Sequence, residues 1–161
     1  MRGGGLTGAT VVGLDKALRS LGDLQKRIGT AAEDQLNSKA LDLQGRVKRR
    51  LTSDGTVHMG RLRSSVKVQK AQAEHSGLVA YVYTNLKYAP AVEYGSRPHF
   101  PPIAPLSDWS RKKLGTDLGY VIARKISRVG TPAKPFMGPA AEEVREPYAK
   151  DMADAIGGAC R

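Results

Sequence analysis

Apolar residues recur every three or four positions through the first third of the chain. Leu14, Leu18, Leu21, Leu24, Ile28, Ala32, Leu36, Ala40, Leu43, Val47 and Leu51 make one continuous stripe. That period belongs to an amphipathic helix, so the pattern predicts one long helix or two in line. Gly13 and Asp15 suit its start and Thr52-Ser-Asp-Gly55 its stop. Gly22, Gly29 and Gly45 interrupt the stripe, and Gly29-Thr30 is the expected break. The period then changes to two. Val66 and Val68 alternate with Lys67 and Gln69, Gln72–Ser76 is polar and turn-like, and Leu78–Tyr83 is a second apolar run. Two such runs with a short polar link predict an antiparallel hairpin.

Proline organises the rest of the chain. Seven of the nine prolines fall in two stretches, Tyr88-Ala-Pro-Ala-Val-Glu-Tyr-Gly-Ser-Arg-Pro-His-Phe-Pro-Pro102 and Gly130-Thr-Pro-Ala-Lys-Pro-Phe-Met-Gly-Pro-Ala140. Proline fixes φ and lacks a donor, so neither stretch is a regular strand or mid-helix. A brief helix is expected over Tyr88–Tyr94, with Pro90 in its first turn and Gly95 at its end. Further helices are expected over Pro105–Leu114, over Asp117–Val129 with Leu118, Val121, Ile122 and Ile126 on one face, and over Pro139–Ile156, where Pro147 kinks or divides the last. The fold class is α+β: a small antiparallel sheet packed by a long N-terminal helix and a C-terminal helix. The expected organisation is a flexible arm over 1–12, glycine-rich at 3–8, one domain over 13–156 and a flexible tail over 157–161.

Charge changes the picture. The chain has 161 residues and a net charge of +11. Residues 46–134 hold 17 basic side chains against five acidic ones, whereas the segments on either side are close to neutral. A positive field confined to one region favours a polyanion or an acidic protein surface over mere solvation. One cluster runs through Arg46, Arg49, Arg50, Arg61 and Arg63, and a second includes Lys112 and Lys113. Neither carries stacking aromatics or a zinc-finger frame, so contact with nucleic acid would be with phosphate and without sequence preference.

Candidate chemistry is sparse. No phosphate-binding glycine loop occurs, His58, His75 and His99 lack paired-ligand spacing, and no serine sits in a nucleophile signature. The lone Cys160 allows no intrachain disulfide, Met1-Arg-Gly-Gly-Gly lacks the apolar run expected of a signal peptide, and no stretch reaches membrane length. Glu142-Glu143, near the start of the last helix, reads as a response to the helix dipole. The expectation is a protein that is not an enzyme and holds no cofactor or metal.

Four elements occur in order: Gly13-Leu14 opening a long helix, Gly60-Arg-Leu-Arg-Ser-Ser-Val66, Tyr88-Ala-Pro-Ala-Val-Glu-Tyr-Gly95, and Pro135-Phe-Met-Gly-Pro-Ala140. Together they resemble the gene-product-ten-like tail-component family of long-tailed phages, over a span from Val12 to Ile156. The resemblance implies a structural virion protein assembled in the host cytoplasm and placed at the head–tail junction or the top of the tail. It implies a homo-oligomeric ring of six copies that completes the tail or joins it to the head. The implied partners are connector or stopper, tail terminator and tail-tube proteins, with non-specific contact to packaged DNA. The alternative is a free, non-sequence-specific DNA-binding protein using the basic region.

Leu62, Ser65, Tyr88, Val92, Tyr94, Gly95, Phe136 and Pro139 are expected to define the fold: Tyr88, Val92 and Tyr94 anchoring a turn on the sheet, Phe136 capping the core, and Pro139 opening the last helix. Glu93, Arg97, His99 and Phe100 form the candidate interface loop, where Glu93 and Arg97 serve as interface contacts or as a local ion pair. Relative to the family pattern, Arg97–Pro102 and the helix bearing Asp108-Trp109 look expanded, which makes 96–129 the candidate for virus-specific docking.

Overall fold

The computed structural model describes residues 13–53, 60–75 and 77–161. The expected arm over 1–12, His58 and the Asp54-Gly55 part of the helix stop lie outside these residues. Helix α1 spans Leu14–Ser53, 40 residues, or about 60 Å at the α-helical rise. It does not break at Gly29-Thr30. A Cβ at Gly22, Gly29 or Gly45 would meet nothing within 4 Å, so no close packing requires glycine there, and the helix runs through all three at a local cost in stability. Thr30 Oγ1 donates back to the Lys26 carbonyl at 3.0 Å, so its hydroxyl is satisfied within the helix rather than by a turn.

Among the described residues, other elements cover α1 from its C-terminal end to the region of Lys26–Asp34. After the short helix α2 (Arg61–Ser65), strands β1 (Lys67–Glu74) and β2 (Gly77–Tyr83) form a two-stranded antiparallel sheet. Gln72, Ala73 and Glu74, expected in the turn, belong to β1, so the hairpin is longer than its composition suggests. The register slips between Gln69 and Gln72, the mark of a bulge. The Ala71 N–H at this slip is caught by Asn37 Oδ1 of α1 at 2.7 Å, leaving no orphaned donor. The sheet turns Ala80 and Val82 toward Leu36, Ala40 and Leu43 of α1. Its other face presents Tyr81 and Tyr83 to solvent.

Helix α3 (Ala89–Tyr94), with Pro90 in its first turn, leads through an extended proline loop to α4 (Ile103–Leu114) and α5 (Gly119–Val129). These two pack chiefly on each other. The closest approach is at Gly119, where a Cβ would lie 2.1 Å from Ser107 Oγ. Ser110 Oγ accepts from the Leu118 N–H at 2.9 Å and donates to the Ser107 carbonyl at 3.0 Å. The buried face of α5 runs through Gly119 and Ala123, with Ile122 and Ile126 half-buried; Val121, expected on that face, is exposed.

Helix α6 (Gly138–Ala159) packs antiparallel along α1 and continues through Pro147. Proline removes the bond to the Glu143 carbonyl, but Pro147 is exposed, so water can serve that oxygen. Gly157, Gly158 and Ala159, expected in a tail, belong to this helix. Lys39 pairs with Asp151 across the two helices. The core lies where α1, α2, α3 and α6 converge: Val47, Leu51, Leu62, Val66, Ala89, Phe136 and Ala140, with Val82 and Val92 packed against them.

Leu51 is 1% exposed, whereas Leu18 on the same stripe is 57% exposed. Leu51→Ala is therefore expected to cost about 2–5 kcal/mol through a core cavity, and Leu18→Ala about 0.5 kcal/mol or less in the isolated chain. Urea denaturation monitored by circular dichroism measures both. Equal losses would mean that α1 is packed along its whole length.

Candidate partner-binding surfaces

Two proline-containing stretches, far apart in sequence, meet at Glu93. Its side chain is 8% exposed. Oε2 accepts from the backbone N–H groups of Phe136 at 2.7 Å and Met137 at 2.9 Å, and Oε1 accepts from Gly138 N–H at 2.8 Å. A helix N-terminus leaves such donors without intrahelical partners and carries the positive end of the macrodipole, so a carboxylate is well suited to it. Gly138 makes room, since a Cβ there would sit 3.2 Å from Oε1. Glu93 is thus neither an interface contact nor half of an ion pair. It caps α6 from within and holds Phe136 in the core.

The join continues on both sides. Lys134 N–H donates to the Val92 carbonyl at 2.8 Å, and Ser96 and Thr131 pair as an isolated antiparallel bridge. Gly95 has φ 78°, and a Cβ there would come 2.7 Å from the Thr131 carbonyl oxygen. Both facts demand glycine. Ser65 Oγ hydrogen-bonds Thr84 Oγ1 at 2.6 Å and donates to the Leu62 carbonyl, tying α2 to the end of β2. Leu62 and Phe136 lie in the core, Val92 packs against it, and Pro139 sits in the first turn of α6. Tyr94 does not anchor the turn: it is 81% exposed, and Tyr88 is exposed as well. Helix α3 is one and a half turns long, and burying its Ala89 and Glu93 side turns Tyr94 outward.

The first basic cluster is divided by the fold. Arg46 donates to Asp42 and to Glu143, both at 3.0 Å, and Arg50 also pairs with Glu143. These bonds hold the Glu143 carboxyl below its ordinary value, Arg46 contributing most. They raise the Arg46 guanidinium in turn, through Glu143 first and Asp42 second. Glu143 therefore does more than answer a dipole; it joins α6 to α1. Arg49, Arg61 and Arg63 remain exposed, as do Lys112 and Lys113 in the last turn of α4. Arg97, His99 and Phe100 are exposed on the loop before α4, with His99 Nδ1 2.9 Å from the Arg97 carbonyl oxygen. The loop thus keeps three of its four expected interface residues at the surface.

A cleft beside this loop had no signal of its own in the sequence. It is a space of about 680 Å³ among α3, α4, α5 and residues 131–134, with Ala91, Val92, Ile126 and Pro132 along it and Trp109, Lys125 and Lys134 at its walls. Its residues come from α3, the loop after it, α4, α5 and residues 131–134, which the Ser96–Thr131 bridge, the Lys134 N–H bond to the Val92 carbonyl and the Ser110 bonds between α4 and α5 bring together. Among the described residues no cluster of His, Cys, Asp or Glu is arranged to hold a metal. No described helix is long and apolar enough to cross a membrane.

The model of the family described as Bacteriophage HK97-gp10, putative tail-component, matches residues 15–95. The chain belongs to this family. A structural role in a phage tail, in the virion and beside other tail proteins, follows from membership. The match takes in α1, the hairpin and α3 and stops at Gly95. It leaves the Pro-Phe-Met element and residues 96–129 outside, a shorter span than Val12 to Ile156. No curated protein and no solved structure matches the chain.

Two measurements probe this architecture. Glu93→Ala strips three N–H groups of their acceptor and is expected to destabilise the fold by about 2 kcal/mol or more in urea denaturation; a loss under about 0.5 kcal/mol would show that solvent serves these donors equally well. The Glu143 carboxyl is lowered in the folded chain, so its contribution is complete above the ordinary 4.5 and fades as pH falls through the lower folded value. Stability of the wild type and of Glu143→Gln should therefore differ at neutral pH and converge on acidification, as read from thermal melts across pH 2–7.

Proposed function

We propose that this tail component acts at the head–tail junction or the top of the tail, where copies of the chain assemble into a ring that completes the tail or joins it to the head. The observation that carries this reading is the N-terminal end of α1, which no other described element covers. The sheet and α6 cover the helix from its C-terminal end only as far as the region of Lys26–Asp34, which lies beside Gly158 and Ala159. Beyond it Leu14, Leu18 and Leu21 stand 57%, 57% and 61% exposed in one row. A row of leucines on a projecting helix is a surface made to be covered by another subunit. Contact between unlike surfaces of successive copies closes into a ring when the rotation allows it. Six copies is the number the family resemblance suggests.

The exposed Arg49, Arg61, Arg63, Lys112 and Lys113 support a second reading, phosphate contact with duplex DNA without sequence preference. Light scattering after size exclusion, joined to mass spectrometry of purified virions, separates the two. The ring reading expects an oligomer in solution, a 17.3 kDa monomer for Leu14→Ser with Leu18→Ser and Leu21→Ser, and the chain among the tail proteins of the virion. A monomeric wild type absent from virions, binding duplex DNA with a steep salt dependence, would overturn it in favour of the second.

A further inference from the structure

The cleft between α3, α4 and α5 is concave, apolar along its length and edged with positive charge. We infer that it is a docking site for a short acidic segment with an apolar anchor, presented by another protein of the tail. This inference rests on the reading of the chain as a tail component, which supplies the setting in which such a partner is met.

Three observations carry it. The first is shape and lining: a space of about 680 Å³ with an apolar floor along Ala91, Val92, Ile126 and Pro132, large enough for one or two side chains of a peptide, and with Ser96, His99 and Thr131 beside it as hydrogen-bonding groups that suit a peptide backbone. The second is charge. Lys125 and Lys134 stand at its edge, exposed, and neither forms an ion pair with a described residue. The nearby acids are already engaged: Glu93 on the backbone of Phe136, Met137 and Gly138, and Asp108 and Asp117 with Arg111. Arg124 and Arg128 on α5 extend the same sign. A carboxylate-bearing segment is the occupant that this rim attracts and a basic one the occupant it repels. Duplex DNA could pair its phosphates with the same cations but fits less well, because it carries no apolar group to cover the floor along Ala91, Val92, Ile126 and Pro132.

The third observation is rigidity. The walls are fixed by the Ser96–Thr131 bridge, the Lys134 N–H bond to Val92 and the Ser110 bonds that lock α4 to α5. A pre-formed site loses little on binding to the ordering of its own walls. Placement agrees with this reading. The α4–α5 unit lies beyond the family match at residue 95, so it is free to differ with the partner a particular virus provides.

The chain has a single tryptophan, Trp109, and it lines the cleft, so its fluorescence reports this site alone. The test titrates the full chain with a synthetic hexapeptide in which Leu-Phe is flanked by two acidic residues on each side. Control peptides replace the acids by lysine or the Leu-Phe pair by glycine. A saturable change in Trp109 emission is expected for the first peptide, with affinity at least tenfold weaker for both controls. Lys125→Glu combined with Lys134→Glu should weaken binding tenfold or more. Lys112→Glu combined with Lys113→Glu, on the same helix pair outside the cleft, should change it less than threefold. All four substitutions are at exposed positions, and circular dichroism verifies that each variant folds. The inference is overturned by the absence of a saturable change, by equal losses in the two double variants, or by a 20-base-pair duplex giving the same Trp109 change where the acidic peptide gives none. The titration uses purified chain and makes no reference to the virion, so its failure is separate from a failure to find the chain among the tail proteins.

Discussion

Three backbone N–H groups of residues 136–138 converge on one carboxylate, and much of the remaining structure depends on that convergence. Glu93 fixes the start of α6 against α3. With that start fixed, Phe136 and Ala140 fall into the core beside Val47 and Leu51. The direction of α6 is then set along α1, and Glu143 and Asp151 come within reach of Arg46, Arg50 and Lys39. The three acidic contacts differ in kind. Those of Glu143 and Asp151 are part-exposed pairs of the sort that contribute modestly. The Glu93 cap is buried and serves donors that have no other partner, so its loss would be felt in full.

The helices and the hairpin were legible because they depend on local signals. The stripe from Leu14 to Leu51 has the helical period throughout, Val66 and Val68 have the period of a strand, and Pro90, Gly95 and Pro139 stand where caps need them. The failures have tertiary causes. Gly29-Thr30 looks like a break only while its neighbours are ignored; long stretches of helix-favouring residues on both sides carry the helix through. Gln72–Glu74 is polar enough for a turn, yet a bulge whose N–H is met by Asn37 keeps it paired. Val121 has the spacing of a core residue, but the close crossing at Gly119 rotates α5 so that Ala123 points inward instead.

The candidate site was legible in its outline and not in its parts. Charge clustering picks out the basic residues but cannot say that Arg46 and Arg50 face an acid on another helix, because Glu143 is 97 and 93 residues away from them. The loop around Arg97 is marked by proline and aromatic content. Its most informative member, Glu93, reads as a surface residue because a charged side chain in a short helix is usually found there. Nothing local announces that three N–H groups 43 to 45 residues downstream will meet it. The cleft is harder still, since its segments follow one another between Tyr88 and Lys134 and only their packing, which no local pattern announces, leaves a space among them.

The continuity of α1 has a consequence of a different sort. One unbroken helix passes from a region gripped by sheet, α2 or α6 to one where, among the described residues, no other element packs on it. Helix formation is cooperative but short isolated helices are marginal in water, and Gly22 and Gly29 weaken the outer part further. Amide protons should therefore exchange on a gradient along this single element, slowest near Val47 and fastest near Leu14. The outer turns are ones that a neighbour can steady as it covers them, so that local order and assembly become one equilibrium.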